Sequence, residues 1–365
     1  MIGLGLPRLP PIGIVRAVEG VRGALIKLTH WLAPAPVNVL ELATGSWVTQ
    51  AVYTATKLGI PDAVAGGPID AQRVAEKVGA DADATLRLLR ALSAKSVFRE
   101  RRDGRFELTS LGQPLRSDTP NSVRALVLMI GHPVHWEHWG DLLYAVQSGK
   151  PSLEHLRGVS AFEFFEENEE VAEVFNDAMT VTSEMVIGPV LAAYDFTPYR
   201  SIVDVGGGHG RLLAAILQKA PDTRGVLFDL ESVLPGGRDY LVEAGVADRA
   251  TAVAGSFFDA VPQGGELYIL KNIIHDWPEA QALDILRNVR AVMGKQSRVL
   301  VIEAVVPEGN SPHVSKWLNL EMLIQTGGRE RTAAQYADLL HAAGLEVTRV
   351  LPTIGPASIV EAAVR

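Results

Sequence analysis

The hydrophobic pattern of this chain changes its period near residue 200. Before that point apolar residues recur at helical spacing. Val37 to Leu58 predicts a helix that stops at Gly59-Ile60-Pro61. Ile69 to Val78 predicts a short amphipathic helix, and Asp81 to Lys95 a third, with Asp81 or Asp83 as its cap. Val97 to Glu100 and Arg105 to Leu108, around Gly104, predict two short strands joined by a turn. Helix, helix and a two-stranded wing make a winged-helix pattern. Ser122 to Tyr194 predicts more helix, rich in aromatics such as Trp136, Trp139, Phe162, Phe164, Phe165 and Phe175, most of them core.

From about Arg200 short β-branched runs take over. Ser201 to Val205, Gly225 to Asp229, Leu267 to Leu270, Arg298 to Glu303 and Glu346 to Leu351 predict strands, and segments such as Leu212 to Lys219 predict the helices between them. Alternating strands and helices imply a mostly parallel, doubly wound sheet. Ligands of such sheets bind beyond the carboxyl ends of the strands.

Composition narrows the class. Of the 365 residues, 47% are hydrophobic and 21% charged, which suits two domains with sizeable cores. The net charge of −8 argues against a nucleic-acid partner. A winged helix reading DNA would use Asp81 to Lys95, with Arg87, Arg90 and Lys95, yet Asp81 and Asp83 stand at the end that meets base edges. An apolar helical face that dimerises fits better. The chain has no cysteine, which excludes disulfides, thiolate nucleophiles and Cys-ligated metals. Met1 to Val15 is apolar but broken by Pro7, Arg8, Pro10 and Pro11, so it does not read as a secretory signal. No run is long enough to span a membrane. The expectation is a cytoplasmic protein; residues 1–36 have no further reading.

The first strand of the sheet runs into Asp204-Val205-Gly206-Gly207-Gly208-His209-Gly210. Glycines there let a ligand lie against backbone. Asp229 ends the second strand, where a carboxylate can accept hydrogen bonds from both hydroxyls of a ribose. NAD and S-adenosylmethionine sites share that pair. The spacing separates them: a dinucleotide loop needs G-x-G-x-x-G, and counting from Gly206 and Gly208 the third position is Arg211. An acidic residue followed by G-G-G-x-G has the shape of an S-adenosylmethionine loop. A later strand leads into Lys271-Asn272-Ile273-Ile274-His275-Asp276-Trp277. Imidazole is a usable general base near neutral pH. Glu303, ending another strand, and Glu330, in Gly327-Gly328-Arg329-Glu330-Arg331-Thr332, can converge on it at the same sheet edge and fix its tautomer. No ligand spacing of the H-E-x-x-H kind occurs, so no metal is expected.

These motifs resemble the plant-type small-molecule O-methyltransferase family and its bacterial relatives in polyketide and pigment pathways. The resemblance runs through most of the chain and rests on Asp204 to Gly210, Phe228-Asp229-Leu230, Lys271 to Trp277 and Gly327 to Thr332, in that order. It implies a winged-helix dimerisation domain over 1–115, linking helices that help form the substrate pocket over 116–195, and a Rossmann-like domain binding S-adenosylmethionine over 196–365. It implies that His275 is the base, flanked by Glu303 and Glu330. Asp204, Gly206, Gly208, Asp229, Leu230, Ser256, Phe257 and Lys271 fall on cofactor positions. Phe175, Asn176, Met179, Asp276 and Met322 fall on substrate positions. The expected reaction is in-line methylation of a hydroxyl, preferably phenolic, on a small aromatic molecule by a homodimer. One departure stands out: where the family often has an acidic residue in G-D-x-F, this chain has Gly255-Ser256-Phe257-Phe258, leaving Ser256 or Asp259 to serve. Alternatives are a relative on the same fold that hydroxylates or decarboxylates, an NAD oxidoreductase and a winged-helix regulator.

Overall fold

The computed structural model describes residues 12–365. Most of the stretch that bears on a secretory signal therefore lies outside the described residues. The chain divides into two compact units, and the segment expected to link two domains is not a unit of its own. Residues 22–140 and 162–182 form a helical unit; residues 12–21, 141–161 and 183–365 form an α/β unit.

In the helical unit the wing is strand β1 (Phe98–Glu100) antiparallel to β2 (Phe106–Leu108). Asp70 caps helix Ala71–Val78 by accepting from the Arg73 amide at 2.9 Å, and Asp81 caps Ala82–Ser93 by accepting from the Ala84 amide at 2.8 Å. Val74, Leu89, Leu92, Phe98 and Phe106 form the core between them. The helix expected over Val37 to Leu58 is two helices, Ala35–Ala43 and Gly45–Lys57. The Thr44 hydroxyl donates back to the Leu40 carbonyl at 2.9 Å, and Gly45 follows, so the first helix ends there. Arg87 pairs with Asp83 and Arg90 with Glu100, which ties the cations of the candidate recognition helix to neighbouring acids. Trp31 and Trp47 lie largely exposed in the isolated chain.

The α/β unit holds one seven-stranded sheet. Its strands are β3 (Ser201–Val205), β4 (Arg224–Asp229), β5 (Ala250–Ala254), β6 (Leu267–Lys271), β7 (Arg298–Ala304), β8 (Leu345–Pro352) and β9 (Ala357–Val364). They lie in the order β5-β4-β3-β6-β7-β9-β8. The first five are parallel; β9 runs antiparallel to both neighbours. The sequence pattern does not predict β5 or β9. The first is an alanine-rich edge strand, and the second carries Glu361 in its middle. That glutamate is accommodated because Tyr194, Thr348 and Arg349 all donate to its carboxylate.

Period-2 alternation gives the sheet two apolar faces. Ile202, Leu227, Ile269, Leu300 and Ile302 pack under helix Arg211–Lys219 on one side. Val203, Val205, Leu270, Val299 and Val301 pack against Ile285, Leu286 and Tyr336 on the other. The chain leaves β3 toward β4 on one side and toward β6 on the other, so the strand order reverses there, where such sheets bind ligands. Register brings Val205 beside Phe228 and Leu270, and Lys271 beside Ile302. The glycine loop, Asp229, Lys271 and Glu303 thus share one carboxyl edge. Among the described residues, no helix is long and apolar enough to cross a membrane.

Candidate active site

The edge is built from four strand ends, those of β3, β4, β6 and β7. At the end of β3 the chain turns through Gly206 and Gly208, both with positive φ (67° and 59°). A side chain at 206 would run into Ile273, whereas the space a Cβ of Gly208 would take is open, so a ligand can reach the backbone there. The Gly208 amide donates to Asp229 Oδ2 at 2.7 Å, and the Leu230 amide to Oδ1 at 2.7 Å. Each carboxylate oxygen keeps a lone pair for a further donor, as a pair of ribose hydroxyls requires. Burial raises the Asp229 pKa, against the two amides that favour its ionised form.

Asp204 is buried beneath the loop, and its Oδ2 has no hydrogen-bond partner among the described residues. Burial pushes its pKa up to about 7, opposed by the charge of Lys271. Lys271 itself is held below the usual ammonium range by burial, with Asp204 working the other way. An orphaned buried acceptor, an open glycine backbone and a free lone pair on each Asp229 oxygen fit a polar, ribose-bearing ligand. Ser256 is occupied locally: its hydroxyl accepts from the Phe258 amide at 3.2 Å. Asp259 is exposed, with its backbone in the same turn. Phe257 lies near Gly206 and meets Trp277 edge to face. Leu230, beside Asp229, is half exposed.

At the end of β6 the backbone passes through Asn272 in the left-handed region (φ 54°) and into a single 3-10 turn, Ile274–Asp276. That turn carries His275. Its Nδ1 lies 2.8 Å from Glu330 Oε1, and its Nε2 lies 3.6 Å from Asp276 Oδ1, beyond hydrogen-bonding distance. Burial penalises the imidazolium, but the charge of Asp276, the hydrogen bond to Glu330 and the charges of Glu303 and Glu330 outweigh it and hold the pKa up at about 10. Asp276 rises to about 6, chiefly by burial. Glu330 is also raised by burial, and its Oε2 is buried without a partner among the described residues.

Glu303 differs from the expectation that it flanks the ring. Its Oε1 accepts the backbone amides of Ile273, Ile274 and His275 at 3.0, 2.6 and 3.2 Å, and its Oε2 accepts from the Tyr336 hydroxyl at 2.5 Å. It holds the turn and leaves the imidazole to Glu330 and Asp276. The left-handed Asn272 is what swings three successive amides toward one oxygen.

The loop carrying Glu330 is fastened to the same turn. The Arg329 amide donates to the His275 carbonyl at 2.8 Å, and the Glu330 amide to Asn319 Oδ1 at 3.0 Å. Gly328 lies so close to the His275 carbonyl that no Cβ fits. Met322 is half buried on helix Ser315–Gln325, which leads into this loop. Phe175, Asn176 and Met179 lie on helix Glu169–Ala193 in the helical unit, where Phe175 stacks on Phe165 and Asn176 is exposed. Sequence reasoning missed Tyr336, Asn319 and Arg331. Arg331 lies inside a motif it had singled out; the other two have no local signal. Among the described residues, no cluster of His, Cys, Asp or Glu could hold a metal.

Comparisons with known proteins bear on both units. The model of an O-methyltransferase domain matches residues 139–346, and that of an O-methyltransferase dimerisation domain matches residues 40–118. The phenazine O-methyltransferase of Lysobacter antibioticus is 42% identical over 90% of this chain and 96% of its own. The phenazine-1-carboxylate N-methyltransferase of Pseudomonas aeruginosa is 34% identical over 86% of this chain and 93% of its own. An O-methyltransferase from neocarzinostatin biosynthesis, solved with S-adenosylmethionine and 2-hydroxy-5-methyl naphthoic acid, superposes with a TM-score of 0.76 at 32% identity, covering 87% of this chain and 96% of that one.

Proposed function

The chain belongs to the O-methyltransferase family and is an S-adenosylmethionine-dependent enzyme, and from that premise we propose that it methylates an acidified hydroxyl on a small aromatic molecule, with His275 as the general base. The observation that carries this reading is the division of labour on the imidazole. Glu330 occupies Nδ1, while Nε2 has no hydrogen-bond partner among the described residues.

S-adenosylmethionine supplies a methyl group on a sulfonium, an electrophile for an attacking oxygen. Asp229 and the backbone at Gly208 are the residues suited to its ribose and to the chain near it, with Asp204 and Lys271 beneath, and Leu230 and Phe257 beside them. Its positive centre suits an edge where carboxylates outnumber cations.

A free imidazole near pKa 6.5 would take a phenolic proton at a cost of about 5 kcal/mol. With His275 held at about 10, the two pKa values match and the transfer is close to level. The same value leaves the imidazole protonated at neutral pH. The base is therefore the neutral fraction of His275, and an acceptor acidified by its own ring lowers the cost of handing its proton to Nε2. Hydroxyls acidified by a ring nitrogen, a carboxyl or a quinone satisfy this, and a hydroxynaphthoate in the neocarzinostatin relative is of that kind. Phe175, Asn176, Met179, Asp276 and Met322 retain their part as acceptor contacts in this proposal, on the family resemblance. A homodimer belongs to the reading as well: the dimerisation-domain match supports it, and the exposed Trp31 and Trp47 suit a second copy.

The test is calorimetry with S-adenosylhomocysteine and with NAD, followed by turnover on hydroxynaphthoate and hydroxyphenazine acceptors and their amino counterparts. Binding of the first nucleoside alone and methylation of hydroxyls are expected. His275→Ala should lower turnover about a hundredfold with product affinity unchanged. An unchanged rate would remove His275 from the role, and methylation of the amines alone would move the reaction to nitrogen.

A further inference from the structure

The loop that carries Glu330 also carries a buried cation with no part in the chemistry above. Arg331 is 1% exposed. Its Nη1 donates to the Ile274 and Arg329 carbonyls, each at 3.3 Å, and its Nη2 donates to Glu279 Oε2 at 3.2 Å. Its backbone is fixed too: the Val306 amide donates to its carbonyl at 2.9 Å, just past the end of β7. We infer that Arg331 is a positioning residue for His275, gripping the Ile274 carbonyl from one side while Glu303 grips the amides of the same turn from the other.

Ile274 is the residue directly before His275, so its carbonyl belongs to the peptide plane that leads into the base. Glu303 holds that plane at its other edge only, through the His275 amide at 3.2 Å, the longest of its three amide bonds, and a plane held at one edge can still rock. A second grip on the carbonyl stops the rocking and sets the direction in which the imidazole leaves the backbone. A guanidinium suits the task because its planar fork serves three acceptors in three directions, whereas an ammonium is a point donor and a thioether donates nothing. Its charge matters as well. Asp276 and Glu330 bring two carboxylates to the imidazole and Glu303 a third to the backbone of its turn, and Arg331 favours the ionised form of Glu330, the partner of Nδ1. Burying a cation is unfavourable unless it is paired and hydrogen-bonded; the two terminal nitrogens of Arg331 meet this, while its Nε is buried without a partner among the described residues. The inference rests on the reading of His275 as base for its consequence in catalysis, but the positioning itself is measurable without turnover.

The experiment compares the full chain with Arg331→Lys and Arg331→Met, labelled with 15N in the histidines. The His275 resonances are identified by their loss in His275→Gln. The Met variant should move the His275 ring resonances and their titration. It should lower turnover on a hydroxynaphthoate roughly tenfold to a hundredfold, with acceptor KM and S-adenosylhomocysteine affinity little changed. The Lys variant should recover part of both. Unmoved His275 resonances in a folded Met variant overturn the proposal whatever the turnover. Equal losses in Lys and Met, accompanied by lost nucleoside affinity, overturn it too, because Arg331 would then be packing. Displaced resonances with turnover intact would sustain the positioning and count against His275 as base. If the Met variant does not fold, the Lys variant decides by the same resonances, with displacement expected and no displacement overturning it.

Discussion

Glu330 Oε1 lies 2.8 Å from Nδ1 of His275, while the other oxygen of that carboxylate is buried without a partner. One bond to the ring therefore accounts for the hydrogen bonding of this buried acid, and its effect is to stabilise the imidazolium. Glu330→Gln keeps the shape and an acceptor oxygen but removes the charge. The His275 pKa should fall from about 10. A raised histidine contributes stability that is full below about pH 6.5 and lost as pH rises through about 10, so the alkaline loss of stability should shrink in the variant. Turnover should fall about tenfold or more. Histidine NMR titration and thermal unfolding across pH check this; an unshifted His275 would mean that Asp276 and Glu303 hold it unaided.

Asp229→Ala should weaken S-adenosylhomocysteine binding about tenfold or more, some 1.4 kcal/mol. The substitution removes the expected ribose acceptor and also frees the Gly208 and Leu230 amides that its carboxylate now holds. Calorimetry reads this directly. Intact affinity would place the ribose elsewhere on the sheet edge.

Gly328→Ala places a methyl group against the His275 carbonyl and the Asp276 backbone. Backbone cannot rotate aside as a side chain can, so the loop must lift. The expected loss is about 1–3 kcal/mol of stability, read as a lower melting temperature, together with lost turnover. Binding of S-adenosylhomocysteine should survive, since the Gly206 to Asp229 edge is untouched. A variant with normal turnover would show that the loop can be displaced without moving His275.

Asp204, held at about 7 chiefly by burial, binds a proton in the folded state that it has shed when unfolded, between about pH 4 and 7. Its contribution to stability therefore declines as pH rises through that window. Asp204→Asn should flatten that part of the melting-temperature profile. The flattening should be partial, because Asp276, at about 6, still titrates there. An unchanged profile would mean that Lys271 compensates the buried charge fully.

The carboxyl edge of the sheet was legible because its signals are local. Asp204, Gly206, Gly208 and Asp229 sit where strands end, and a strand ending in glycines or an acid can be read within a few residues. Glu330 beside His275 was legible as a motif. The task of Glu303 was not: a carboxylate at a strand end can serve a side chain or a peptide, and the choice was made by the φ of Asn272, which no pattern of types announces. Tyr336 was invisible for a related reason, since its hydroxyl reaches Glu303 only once helix Ala333–Ala342 packs on the sheet. The last strand was missed because a mid-strand glutamate breaks apolar alternation, and its partners Tyr194 and Arg349 are remote or polar.

Every described hydrogen bond and ion pair on the His275 ring, its turn and the loop carrying Glu330 comes from the stretch between Lys271 and Tyr336. The hydrogen bonding that holds His275 is thus contained in a single stretch of chain. Residues outside it reach it by packing: Ile273 lies against Gly206, and Trp277 meets Phe257 edge to face.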